Sequence, residues 1–163
     1  MDAITLPADM LHLAARLALA TLLGAAIGLN REISLKPAGL RTHALVALGA
    51  AVATGVGLQL TRFGQGDLSA PSRIIQGIVA GIGFIGGGVI LHHADAHQAD
   101  VRMVHGLTTA ASIWVVSATG VAAAAGLWRS AILAVVLALL VLTVGRTIDQ
   151  ALHRMRHDDP DDS

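Results

Sequence analysis

The 163-residue chain is 54% hydrophobic and only 13% charged, about half the charged fraction of an ordinary soluble domain. Its 11 Lys and Arg balance 11 Asp and Glu, so no basic surplus points to nucleic acid. The absence of cysteine excludes disulfides, thiolate catalysis and cysteine-ligated metal.

These figures describe a small integral membrane protein, all-α and polytopic, with the lipid bilayer as its first partner. Residues 1–9 lack the basic start of a cleaved signal peptide and are expected to form a short extracytoplasmic tail. Five apolar spans follow: Met10–Leu29, Ala44–Leu60, Ile74–Leu91, Leu107–Ala124 and Trp128–Val144. Each is close to the ~20 residues that a helix needs to cross a bilayer core, so residues 10–145 are expected to form one transmembrane bundle. Residues 146–163 are expected to be a cytoplasmic tail, and its acidic end, Asp158-Asp159-Pro160-Asp161-Asp162-Ser163, is too charged and short to pack. Gly126, the only clear break between the last two spans, predicts a tight antiparallel hairpin.

Short loops rich in Lys and Arg stay on the cytoplasmic side. Arg31, Lys36, Arg41, Arg102, Arg146, Arg154 and Arg156 fall on one side of the spans, against Arg62, Arg73 and Arg129 on the other. With an odd number of spans, this asymmetry places the N-terminus in the periplasm and the C-terminus in the cytoplasm. Phe63 and Trp128 then sit at the outer interface. Arg16 lies well inside the first span, and Asp9, Gln76 and Asp149 offer it no obvious partner from sequence.

The connection between the first two spans is the densest polar stretch. Pro37 and Gly39 break helix, and Thr42 is suited to cap the next one. Positive-inside charge explains Lys36, but not why Asn30, Arg31, Glu32, Arg41, Thr42 and His43 crowd two helix ends. Charges at membrane depth are expensive and are usually paired or functional. These residues are therefore the candidate functional cluster, joined by Thr108 and Thr109 at the start of the fourth span. Arg73 and Gln76 rank next, with Arg73 on the opposite side of the membrane. The run Gly106-Leu-Thr-Thr-Ala-Ala-Ser112 carries small hydroxyl side chains that can bond across helices. Trp114 is too deep in its span for a simple interface anchor.

Glycines recur at four-residue spacing: Gly24 and Gly28, Gly77 and Gly81, Gly83 and Gly87. Such faces let helix backbones approach closely, within one chain or between copies in a homo-oligomer. Ile74–Leu91, one-third glycine, is expected to be the hub against which the other helices pack. Its Gly81-x-Gly83-x-x-Gly86 string matches a dinucleotide-binding fingerprint, but it lies inside a lipid-spanning run with no preceding strand, and that reading is rejected. In the third loop, His92, His93, Asp95 and His97 are weak metal-ligand candidates, since they lack a fixed ligand spacing. They are also the only candidates for an enzyme site, so the chain is expected not to be an enzyme. A small ion transporter is the alternative to a binding protein, but no span carries an acidic residue at mid-depth and no inverted repeat is visible.

Several ordered blocks together resemble the MgtC/SapB family of bacterial inner-membrane proteins: the glycine-rich end of the first helix with Arg31-Glu32, Ala38-Gly39-Leu40-Arg41-Thr42-His43, Arg73 with the glycine-rich run to Ile90, and Val104-x-Gly106-Leu-Thr-Thr-Ala-Ala-Ser-Ile-Trp114. The resemblance covers about Arg16 to Trp128. It implies a multipass inner-membrane regulator linked to magnesium limitation, stress, virulence and intracellular survival. Such a protein acts through other membrane proteins, including ATP synthase or a magnesium transporter, and holds no cofactor beyond a link to Mg2+. Asn30 and His105 depart from the acidic residue and the arginine that members often carry, and the histidine-rich loop is longer than the family's pattern. The chain ends soon after its last helix, which resembles the shorter SapB-like branch without a soluble C-terminal domain.

Overall fold

The computed structural model describes residues 8–63, 69–95 and 106–157. Within them the chain forms five helices: α1 (Ala8–Ile33), α2 (Leu40–Phe63), α3 (Ser69–Asp95), α4 (Leu107–Ala124) and α5 (Trp128–His157). Each contains a stretch of 18 to 24 residues long and apolar enough to cross a membrane. The all-α polytopic reading stands. The acidic tail from Asp158 to Ser163 and most of the extracytoplasmic tail lie outside the described residues.

Helix ends follow local chemistry. Beyond α1, Leu35 takes a left-handed conformation (φ 54°), so that the Leu35 and Lys36 amides turn back to the Glu32 and Arg31 carbonyls at 2.9 and 3.1 Å. Pro37 then prevents the helix from resuming. The α4–α5 turn repeats the device with glycine: Gly126 (φ 84°) sends its amide to Ala123 and Leu127 sends its amide to Ala122, at 3.1 and 2.9 Å. Both are the reversed C-terminal turn that satisfies otherwise orphaned helix carbonyls. The expected tight hairpin at Gly126 is present.

The core is built from small residues. Ala20, Ala47, Ala51, Ala123 and Ala131 are fully buried, which lets backbones approach closely where lipid gives no hydrophobic drive to associate. At Gly120 a Cβ would collide with the Ala47 carbonyl, so α4 and α2 touch backbone to backbone. At Gly24 it would lie 2.6 Å from the His43 carbonyl, which brings α1 equally close to α2.

The hub is therefore α4 packed on α1 and α2, and the expectation for Ile74–Leu91 is corrected. Half of the α4 span is buried in the chain, but only 11% of the α3 span is. Gly77, Gly81, Gly83 and Gly87 have open space where a side chain would project. Glycine spacing makes a helix approachable; among the described residues nothing comes within 4 Å of a Cβ placed at these glycines. Gly24 and Gly28 do serve as packing glycines, as a Cβ at Gly28 would lie 2.7 Å from Leu40 Cα.

Candidate functional site

One end of the bundle gathers the C-terminus of α1, the N-terminus of α2, the C-terminal part of α3 and the N-terminus of α4. Gly106, which precedes α4, lies against Val89 and Ile90 of α3. α5 reaches the same end, where Arg146 Nη1 donates to Ser34 Oγ at 3.0 Å.

Arg31 stands in the last turn of α1, where the helix dipole favours a cation. Its side chain turns inward and is only 5% exposed. Nη2 donates to Thr109 Oγ1 on α4 at 2.8 Å, a bond that joins residues 78 apart in sequence. Nε is buried without any partner. No carboxylate lies within ion-pair reach among the described residues. Glu32, the adjacent acid, turns away and accepts the Leu40 amide at 2.7 Å, which caps the start of α2.

His43, fully buried on α2, bridges α2 and α4. Its Nδ1 lies 2.9 Å from the Gly39 carbonyl and its Nε2 lies 3.0 Å from Ser112 Oγ. Ser112 Oγ is also 2.8 Å from the Thr109 carbonyl. A carbonyl only accepts, so Nδ1 carries a proton. In neutral imidazole Nε2 then accepts the Ser112 proton; if the ring is doubly protonated, Nε2 donates and the serine proton turns to Thr109. Arg31, Thr109, Ser112 and His43 thus form one polar chain across α1, α2 and α4.

Of the residues singled out from sequence, the structure brings Arg31, His43 and Thr109 together. Glu32 is beside them as a helix cap, and Asn30 is half-buried in the same turn of α1. Arg41, Thr42 and Thr108 are at the same end, but their side chains are exposed. Arg73 and Gln76 are exposed on α3; Arg73 precedes Gly86 by 13 residues, roughly 20 Å along the helix, and so belongs to the opposite end, as expected. The side chains of His92, His93 and Asp95, and the whole of His97, lie outside the described residues.

A model of the MgtC family matches residues 17–151. The chain belongs to the MgtC family. It is 43% identical over 150 residues to protein SrpB of Synechococcus elongatus, covering 88% of this chain and 80% of SrpB. It is 38% identical over 136 residues to the putative magnesium transporter YhiD of Escherichia coli, covering 79% of this chain and 58% of YhiD. Identity to protein MgtC of Brucella abortus is 40% over 141 residues, covering 86% of this chain and 54% of that protein. The chain therefore spans little more than half of YhiD and of the Brucella protein. No solved structure matches it.

With five membrane-crossing helices, this MgtC-family chain is a multipass inner-membrane protein. The family segment encloses the whole polar cluster, from Arg31 to Ser112. Two members of the polar framework escape sequence reasoning. Ser112 reads only as part of a hydroxyl-bearing packing run. The partner of Arg16 is the Ala124 carbonyl at 2.9 Å, a backbone group that carries no sequence signature.

Proposed function

We propose that this MgtC-family protein is a multipass regulator that acts through contacts with other membrane proteins, in a setting of magnesium limitation, stress or intracellular survival. The observation that carries this reading is the outer face of α3. Gly77 with Gly81, and Gly83 with Gly87 about 120° further round α3, have open space before them, the kind of surface by which one transmembrane helix admits another at close range. The family resemblance supplies the partner class, an ATP synthase or a magnesium transporter, with a second copy of the chain as a further occupant.

Catalysis is not part of the reading. Ser112 and His43 have the separation of a nucleophile and its base, but both are buried and each is already bonded to a backbone carbonyl. Transport is the alternative, since the Escherichia coli relative is named a putative magnesium transporter. Against it stands Arg31, a buried guanidinium with no carboxylate beside it among the described residues, which repels a divalent cation from the polar end of the bundle.

A photo-crosslinking residue at Gly83, used in native membranes, should capture a membrane protein. Lipid adducts alone at Gly83, together with saturable magnesium flux into liposomes that is lost in Arg41→Ala, would overturn the regulator in favour of the transporter.

A further inference from the structure

A buried cation without a counter-charge among the described residues is an incomplete arrangement. Arg31 sits at the end of a membrane span, 5% exposed, and spends one of its five N–H protons on Thr109. Nε has no partner, and Nη1 makes no bond among the described residues. The cost of holding a guanidinium at this depth is normally offset by an ion pair or by several hydrogen bonds. Glu32, the adjacent carboxylate, is committed to the Leu40 amide.

The second element is the start of α4, an 18-residue helix. Its N-cap is Gly106, which brings no side-chain cap, and the first intrahelical bond is the Ala110 amide to the Gly106 carbonyl. The preceding amides of the first turn therefore have no helical acceptor, and the positive end of the helix dipole lies there. Arg31 reaches this turn directly, through its bond to Thr109. A guanidinium therefore stands beside the N-terminal turn of a helix, and both call for the same ligand, an anion with several acceptor oxygens. Lys36, Arg41 and Arg146 add exposed positive charge at the same end of the bundle.

We infer that Arg31 and the first turn of α4 form an anion site that takes a phosphate group. The site lies where the apolar spans of α1 and α4 end, at Ile33 and Leu107, which is the depth of lipid headgroups. An anionic phospholipid and free inorganic phosphate share the required chemistry. The site is separate from the α3 face, so it stands or falls independently of the regulatory reading.

The test uses the full chain, purified and placed in nanodiscs of phosphatidylcholine, with phosphatidylglycerol titrated in one arm and inorganic phosphate in the other. Thermal stability is read in both, and native mass spectrometry counts retained lipid. Wild type should gain stability in at least one arm, and the arm that responds identifies the source of the phosphate. Arg31→Met should raise the half-saturating concentration at least tenfold, with Arg31→Lys between the two because a point charge replaces a planar fork. Arg73→Gln, at the far end of the bundle, should respond as wild type does. No stabilisation in either arm, or an unchanged response in Arg31→Met, overturns the site. Should Arg31→Met not fold, an Arg31→Lys response equal to that of wild type does the same.

Discussion

Arg16 Nη1 donates to the Ala124 carbonyl at 2.9 Å, which ties the early part of α1 to the last turn of α4, at the end opposite the polar cluster. A cation at a helix C-terminus meets the negative end of the dipole, and here it also satisfies a carbonyl that the reversed turn at Gly126 leaves unused. Arg16→Met should therefore lower stability by about 1–2 kcal/mol, the lower part of what a hydrogen bond to a charged group contributes, because the side chain is exposed. Denaturant unfolding in mixed micelles checks this. A loss below the measurement error would mean that Arg16 merely rests on the surface.

Gly126 and Gly81 make an opposed pair. Gly126 has φ 84°, and a Cβ there would stand 3.2 Å from the Arg16 guanidinium, whereas a Cβ at Gly81 meets nothing within 4 Å. Gly126→Ala should cost about 1–2 kcal/mol from the left-handed backbone alone. Gly81→Leu in the isolated chain should stay within about 0.5 kcal/mol of wild type. The reverse order in unfolding experiments would restore α3 as the centre of the bundle.

These two glycines also show what the sequence discloses and what it withholds. Apolar length is a property of one segment, so the five spans are legible directly, and the apolar run Leu107–Ala124 has the same ends as α4. Gly126, between two apolar runs, is legible as a turn. Burial of a glycine face depends on what comes to meet it. Gly24-x-x-x-Gly28 and Gly77-x-x-x-Gly81 are identical as patterns, yet α2 covers the first and nothing among the described residues closes on the second. The polar cluster divides the same way. Charge at a span's end marks Arg31 and His43 as unusual, but their partners, Thr109 and Ser112, are 78 and 69 residues away, and no local rule selects them over Arg41 or Thr42.

Leu35 occupies a left-handed position, φ 54°, in the reversed turn that ends α1. Its side chain is exposed and gains nothing from packing. Glycine adopts this conformation freely, and an L-residue with a Cβ costs about 1–2 kcal/mol there. Leu35→Gly should stabilise the protein by about 1 kcal/mol once the extra freedom of the unfolded glycine is deducted. Thermal unfolding would register this as a rise in Tm, and a fall would imply that Leu35 is buried by lipid or by a partner.

The Ser112 hydroxyl serves two neighbours, His43 Nε2 at 3.0 Å and the Thr109 carbonyl at 2.8 Å. Ser112→Ala leaves a fully buried imidazole nitrogen without a partner and should cost about 1–3 kcal/mol. His43→Leu, which removes the other side of the contact, should make a second change at Ser112 cheap. The double-mutant cycle should accordingly show a coupling of roughly 1 kcal/mol. Additive losses would mean that the two side chains do not depend on each other.

Arg31 yields the most discriminating expectation, because stability and function should separate. Truncating one member of a buried ion pair is costly since a charge is stranded, but among the described residues Arg31 has no anionic partner to strand, and its side-chain bond there is to a neutral hydroxyl. Replacing a buried charge with an apolar side chain of similar length removes its desolvation cost and is often neutral or stabilising. Arg31→Met in phosphatidylcholine, with neither anionic lipid nor inorganic phosphate added, should therefore be within about 1 kcal/mol of wild type, or more stable. Thr109→Val, which removes the guanidinium's hydroxyl partner and leaves the charge, should be the more damaging change. A residue whose removal relieves the fold is one retained for what it binds, whereas a loss of several kcal/mol in Arg31→Met would make it a structural strut.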